Sequence, residues 1–279
     1  MIVAAVLLVV IAFLAVVLSS LVAGNAISGA THLGSMQAFY QADSGLEFEQ
    51  RRWAQNLDWY RSATDPNPNP ATAQTLGTGS FTVNTNLPAT LLKTGLSPVA
   101  TTITAYTTSR FPAGGILQIE EDLTLGAEFV RYTGISSNTF TGVTRGVTVG
   151  TVVSSATTHA RSDTVYPVTT LVDALTASCT TPSSFRIAAQ SKFLSAGTLN
   201  IEGEEIGYSG STVTGGNMTL TGVTRCLDSV TPVTPAAHNS NQPVTPILIN
   251  GDSANYQAEM LSTGTMGNNI RYARKTIQR

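Results

Sequence analysis

MIVAAVLLVVIAFLAVVLSSLVAGNAISGATHLGSMQAFYQADSGLE, residues 1–47, contains no Asp, Glu, Lys or Arg before Asp43. From Met1 to Ala23 every position except Ser19 and Ser20 is apolar. The run then turns small and polar at Gly24, Asn25, Ser28, Gly29, Thr31 and Gly34. About 20 apolar residues suffice to cross a bilayer, and a helix continuing to about residue 60 would measure roughly 90 Å at 1.5 Å per residue. From Ser35 onward Phe39, Ala42, Leu46, Trp53, Leu57 and Tyr60 recur at the spacing of one helical face. Glu47, Glu49, Arg51, Arg52 and Asp58 occupy the other side. The prolines of Asp65-Pro66-Asn67-Pro68-Asn69-Pro70 end the helix, because each lacks a donor and disfavours α for its predecessor. The apolar face of the second half therefore requires a partner, and the β-rich remainder is the one the chain offers.

Two other readings use the same segment. A cleaved secretory signal has a charged start and a shorter apolar core, whereas no Lys or Arg precedes this run. An ordinary membrane anchor has a basic flank that fixes its orientation, and that flank is missing too. A basic leader removed ahead of Met1 accounts for both absences and makes Met1 the expected mature amino terminus.

Behind the helix the chain changes character. Only 11 % of its residues are charged, three are lysine (Lys93, Lys192, Lys275), and the net charge is −2, so no strong field for nucleic acid or acidic substrates is available. Short Val/Ile/Thr/Tyr runs alternate with Gly/Ser/Asn breaks, the pattern of antiparallel β structure. Ser109-Arg110-Phe111 through Pro167 recurs as Ser191-Lys192-Phe193 through Pro246. Thr141-Gly142-Val143-Thr144-Arg145 is repeated identically at Thr221–Arg225. Within the repeat Leu117 and Ile119 match Leu199 and Ile201, Glu128 matches Glu205, and His159 matches His238. Each copy reads as a small β unit with Gly turns.

The recurring Glu128, Glu205, Arg145, Arg225, His159 and His238 invite a metal or catalytic pairing. A repeated fold element produces the same recurrence, however, and structural roles in turns are the expectation. No phosphate loop, HExxH or Ser/His/Asp order is present. Glu120-Glu121-Asp122 and Glu202-Gly203-Glu204-Glu205 lack the alternating ligand spacing of a calcium loop. Phe39, Tyr40, Phe48, Trp53 and Tyr60 are read as packing residues rather than an electron pathway. Arg271, Arg274, Lys275 and Arg279 are read as guards of an edge strand rather than a nucleic-acid or lipid contact. The expectation is a protein that is not an enzyme and uses no cofactor or metal. Cys179 and Cys226 are the only cysteines, and Cys226 replaces the turn glycine Gly146 of the first copy. In a chain that looks exported they are expected to form a bridge, with free buried thiols as the alternative.

Ala38-Phe39-Tyr40-Gln41-Ala42-Asp43-Ser44-Gly45-Leu46-Glu47, placed after an uncharged apolar start and inside an amphipathic helix, resembles the type IV pilin-like proteins, closest to the larger minor pilins and pseudopilins. Gly79–Val83 is similar to their first sheet strand. Tyr256–Ile277, with its turn at Ser262–Asn268, is similar to their closing hairpin. The repeat wording is loosely similar to phage tail-fibre-type surface modules. The chain departs from the family where Ala5 replaces the usual glutamate and Val22 the usual proline.

The resemblance implies an α+β fold, a long N-terminal α-helix packed on an antiparallel β-sheet, with inserted all-β repeat units. The expected layout is a filament-core helix over 1–64, a linker and first strand over 65–100, and β repeats over 101–178 and 179–246. A closing hairpin occupies 247–279. Met1, Ala4, Ala5, Ala12, Ala15 and Ser19 are the expected filament-core contacts, and Phe39, Leu46, Trp53, Leu57 and Tyr60 the helix–sheet contacts. Function is expected to be that of an extracellular pilus-like filament subunit, held in the cytoplasmic membrane before assembly. Its implied partners are further copies or pilus co-subunits, the cytoplasmic membrane before assembly, a prepilin peptidase and the assembly machinery, with no nucleic acid, and Met1 is expected to be N-methylated as in related pilins. A membrane-anchored surface adhesin that never polymerises is the alternative.

Overall fold

The computed structural model describes residues 2–55, 73–120, 128–180, 182–227, 235–247, 249–250 and 255–278. Helix α1 (Ile2–Gln55) runs unbroken through Gly24, Gly29 and Gly34 and is about 80 Å long at 1.5 Å per residue. The proline run at 65–70 lies outside the described residues, as do Met1, Leu57 and Tyr60, and so do the side chains of Ala4, Ala5 and Trp53. Eighteen strands follow among the described residues, all paired antiparallel where the register is defined, so the fold is α+β. The chain divides into two compact units.

The first unit gathers α1 with β1 (Gln74–Leu76), most of β2 (Gly79–Asn86), the end of β17 (Asn255–Met266) and most of β18 (Asn269–Gln278). Strand order is β1-β2-β17, with β18 on the far edge of β17. In β2 the burial alternates with period two, which presents Phe81 and Val83 to the core. The helix meets this sheet through small residues. Ala38 and Ala42 are fully buried, and a Cβ added at Gly264 would lie 2.1 Å from the Ala38 carbonyl oxygen. One added at Gly45 would lie 2.8 Å from the Phe81 ring. Backbone thus rides on backbone, and Leu46 and Phe48 close the sides, Phe48 with its ring 5.7 Å from that of Phe81.

Phe39 corrects the expected helix–sheet face. It is 49 % exposed, because the approach allowed by Gly45 and Gly264 selects the Ala38–Ala42 stripe and turns the adjacent aromatic outward. The closing hairpin also differs in detail. Its turn is Gly267-Asn268, with Gly267 at φ +55°, while Ser262 and Gly264 lie in strand β17 against the helix.

The second unit holds the intervening strands β3 (Thr90–Leu91), β4 (Thr102–Thr104), β5 (Gly115–Ile119), β6 (Glu128–Tyr132), β7 (Gly134–Ser136), β8 (Thr139–Thr141) and β9 (Thr164–Thr170). They continue as β10 (Ser184–Ala188), β11 (Gly197–Ile201), β12 (Glu204–Tyr208), β13 (Gly210–Thr214), β14 (Asn217–Thr221), β15 (Pro243–Pro246) and β16 (Ile249–Asn250). A seven-stranded sheet has the order β12-β11-β15-β9-β5-β6, with β3 also on β9, and is flanked by two three-stranded sheets, β4-β8-β7 and β10-β14-β13. The pairings correspond one for one: β5·β6 with β11·β12, β4·β8·β7 with β10·β14·β13, and β3·β9 with the end of β9 on β15. The bridge Leu96↔His159 likewise corresponds to Leu175↔His238. The correspondence therefore begins at Thr90 and Thr169, upstream of residues 101 and 179. Each half has its own core, one around Leu117, Ile119, Tyr132 and Phe140, the other around Leu199, Ile201, Tyr208 and Leu220.

One sequence match is corrected. Ile119 pairs with Glu128 and Ile201 with Glu204, so Glu204 and not Glu205 is the counterpart of Glu128. Eight residues separate β5 from β6, where β11 and β12 are joined by the two-residue turn Glu202-Gly203, both at positive φ. A one-residue slip exchanges the two faces of a strand, and it is Glu204 that is buried.

Candidate functional site: an exposed apolar helix and two buried ion clusters

Every described side chain of α1 from Leu7 to Leu33 is exposed. Leu8 is 70 % exposed and Phe13 68 %. A helix that is apolar all round belongs in a membrane or inside a larger assembly, and this one is long and apolar enough to cross a membrane by length and composition. Ala12, Ala15 and Ser19 lie on this exposed stretch. Beyond it a second feature begins. Met36, Phe39, Tyr40, Asp43 and Glu47 are all exposed, and their spacing of three, four, seven and eleven residues from Met36 gathers them on one flank of the helix.

The repeated charges form two buried clusters. Nε of Arg145 donates to Glu128 at 2.6 Å, and its Nη2 reaches the second carboxylate oxygen. The same carboxylate accepts from the amides of Gly146 at 2.8 Å and Thr157 at 3.0 Å, and from His159 Nε2 at 3.1 Å. Arg145 also donates to the carbonyls of Ser97 and Thr157. In the second half Arg225 grips Glu204 at 2.8 and 2.6 Å and donates to the carbonyls of Thr176 and Ala236. His238 places Nε2 2.7 Å from Glu204 and Nδ1 2.8 Å from Glu202.

Burial alone would raise the Glu128 carboxyl, but the bonds from His159, Arg145 and Thr157 outweigh it and hold its pKa at about 2. Glu204 is lowered in the same way, its burial outweighed by Arg225 and His238. With its lone pairs engaged by five donors, the Glu128 carboxylate serves as a tie between loops, each bond charge-assisted. Among the described residues no three His, Cys, Asp or Glu side chains converge as a metal-binding group. Glu121 and Asp122 of the first acidic run lie outside those residues.

Cys179 and Cys226 form a disulfide with Cα atoms 5.6 Å apart. Cys226 has φ +59° and Gly146, its counterpart, +61°, so the cysteine keeps a glycine's backbone and uses its Cβ to make the bridge.

The two halves also meet through matched segments that sequence reading left without a role. Arg110 Nε donates to the Ser191 carbonyl at 3.1 Å, and Lys192 Nζ donates to the Ser109 carbonyl at 3.2 Å. Lys192 lies 5.1 Å from the Phe111 ring centroid. Burial, with the nearby Arg110 charge, pushes its amine down to about 7. Arg110 pairs further with Glu259 at 3.3 Å, which also accepts from Ser195. The signal for this contact was present in the repeat itself, since Arg110 and Lys192 are equivalent cations. No protein-family model, curated protein or solved structure matches this chain.

Proposed function

We propose that this chain is a structural subunit of an extracellular type IV pilin-like filament, first held in the cytoplasmic membrane and then polymerised through α1. The observation that carries this reading is the exposed, uncharged first half of a helix whose second half is seated on a sheet. Apolar burial contributes about 25 cal/mol per Å², so the exposed half has a strong drive into lipid or against other copies of itself. The seating of the second half of α1 on a sheet, and the C-terminal hairpin in that sheet, support the pilin resemblance. Residues 90–168 and 169–247 are read as two copies of one β unit inserted between β2 and β17. They form the displayed outer layer, stapled by ion clusters and one disulfide rather than equipped for a reaction.

A membrane-anchored surface protein that never polymerises would use the same helix, and its basis is the length and hydropathy of α1. Helix substitution separates the two. An anchor needs only general hydrophobicity, whereas a bundled core needs close approach at small residues. Ala12→Leu or Ala15→Leu is expected to abolish or shorten filaments seen by negative-stain imaging and pelleting, while the protein stays in the membrane fraction. Unchanged filaments, or none in the unaltered protein, would return the chain to the anchored reading.

A further inference from the structure

The boundary between the two β halves falls at a recurring joint. Leu87-Pro88-Ala89, Tyr166-Pro167-Val168 and Thr245-Pro246-Ile247 follow one another at a constant spacing of 79 residues. All three prolines are buried, and so are Ala89, Val168 and Ile247. The chain thus enters the first half, passes to the second and leaves it through the same Pro-apolar step. Each half is also closed on itself, because its first strand pairs with its last. Thr90 and Leu91 pair with Val165 and Thr164, and Thr169 and Thr170 with Val244 and Pro243.

Among the described residues of 90–247, every strand pair and every loop backbone hydrogen bond lies within 90–168 or within 169–247. The seven-stranded sheet runs from one half into the other through the continuity of β9 alone. The apolar cores divide at the same place. The clusters around Phe140 and Phe129 draw only on 90–168, and the cluster around Leu220 only on 169–247. The two ion clusters and the disulfide respect the boundary as well. What crosses it is side-chain contact: Arg110 and Lys192 on the opposite matched segment, Ser191 Oγ donating to the Arg110 carbonyl at 2.7 Å, and Thr151 Oγ1 donating to Gln242 at 3.2 Å.

We propose that each β half is a self-contained cassette that the chain can carry in different numbers. One cassette suffices to link β2 to the C-terminal hairpin, and each added copy enlarges the β body. A closed segment whose ends lie side by side can be removed or inserted without displacing what precedes and follows it. The size of the β body is thereby adjustable independently of α1, whether that helix polymerises or only anchors.

The full-length chain lacking residues 90–168 tests this. The cut joins Ala89 to Thr169 and so restores the Ala-Thr step present at 89–90. In the detergent used for the parent chain, it is expected to form the Cys179–Cys226 bridge completely, as read by non-reducing peptide mapping. Its β body is expected to melt cooperatively within about 10 °C of the parent's, since only a few side-chain hydrogen bonds are lost. A chain with residues 169–247 duplicated after Ile247 is expected to melt in the same range. Removing residues 130–208, an equally long segment, cuts inside β6 and takes out β12, and is expected to abolish the cooperative transition. Aggregation, a missing bridge or non-cooperative melting in either in-register variant would make the two halves one indivisible body and overturn the cassette. Cooperative melting of the chain lacking 130–208 would overturn it too, because the boundaries would then mean nothing. Each of these results leaves the filament reading, which stands on α1, untouched.

Discussion

Glu128 accepts from two nitrogens of Arg145, two backbone amides and His159, and that saturation makes it a pH-dependent fastening. Its pKa is lowered from 4.5 to about 2, so its stabilisation is fully present above the unfolded value and is lost as pH falls through this window. Glu204 is lowered too and adds to the same loss. Lys192 works in the other direction. Its amine falls from 10.5 to about 7, so the unfolded chain keeps a proton that the folded one sheds between those values, and stability rises with pH across that range. Denaturant midpoints from pH 2 to 10 are expected to show both slopes, with Lys192→Met flattening the alkaline one and leaving the acid one. At the disulfide, a Cys179→Ala/Cys226→Gly chain copies the Ala100/Gly146 arrangement of the other half. It is expected to be about 1 kcal/mol more stable than Cys179→Ala/Cys226→Ala, because only glycine takes a φ near +60° without cost. Equal melting points for the two would show that the left-handed turn carries no penalty here.

Among the elements, the junction of α1 with β17 rests on missing atoms. Gly264 has ordinary φ, so what forbids a side chain there is the Ala38 carbonyl oxygen, 2.1 Å from where its Cβ would sit. Gly264→Ala is expected to cost about 1–3 kcal/mol, the range for overpacking. Gly24→Ala and Gly29→Ala meet nothing within 4 Å and should stabilise the helix by about 1 kcal/mol each. Circular dichroism melts of the three variants check the order. The existence of α1 was legible because forty-two uncharged residues leave few alternatives to an apolar helix. The outward position of Phe39 was not, since the choice between it and Ala38 depends on Gly45 and Gly264, more than two hundred residues apart in the chain. The ion clusters were half legible for a related reason. Arg145, Arg225, His159 and His238 align by identity, but Glu204 and Glu205 are adjacent acids. Only the strand register, shifted by unequal hairpin loops, decides which one points inward.

For the whole molecule, the division into two compact units has a thermodynamic consequence. The second unit contains the disulfide, both ion clusters and the cores of both β halves. The first depends on the helix–sheet contact at Ala38, Ala42 and Gly264. Stabilising interactions that share no residues give additive effects, and units with separate cores need not unfold as one two-state transition. Calorimetry of the full-length chain in detergent is therefore expected to resolve two transitions. Cys179→Ser removes a bridge with a sequence separation of 47, worth about 3–4 kcal/mol in the loop-entropy model, and should lower one of them by roughly 10 °C. Gly264→Ala should lower the other and leave the first in place. Because the bridge and the ion clusters act within the second unit alone, the proposed assembly through α1 is expected to survive Cys179→Ser, with imaging finding filaments of unchanged length. A single transition shifted by both substitutions, or loss of the proposed filaments with the disulfide, would mean that the β-rich second unit and the helix-bearing unit are one cooperative structure.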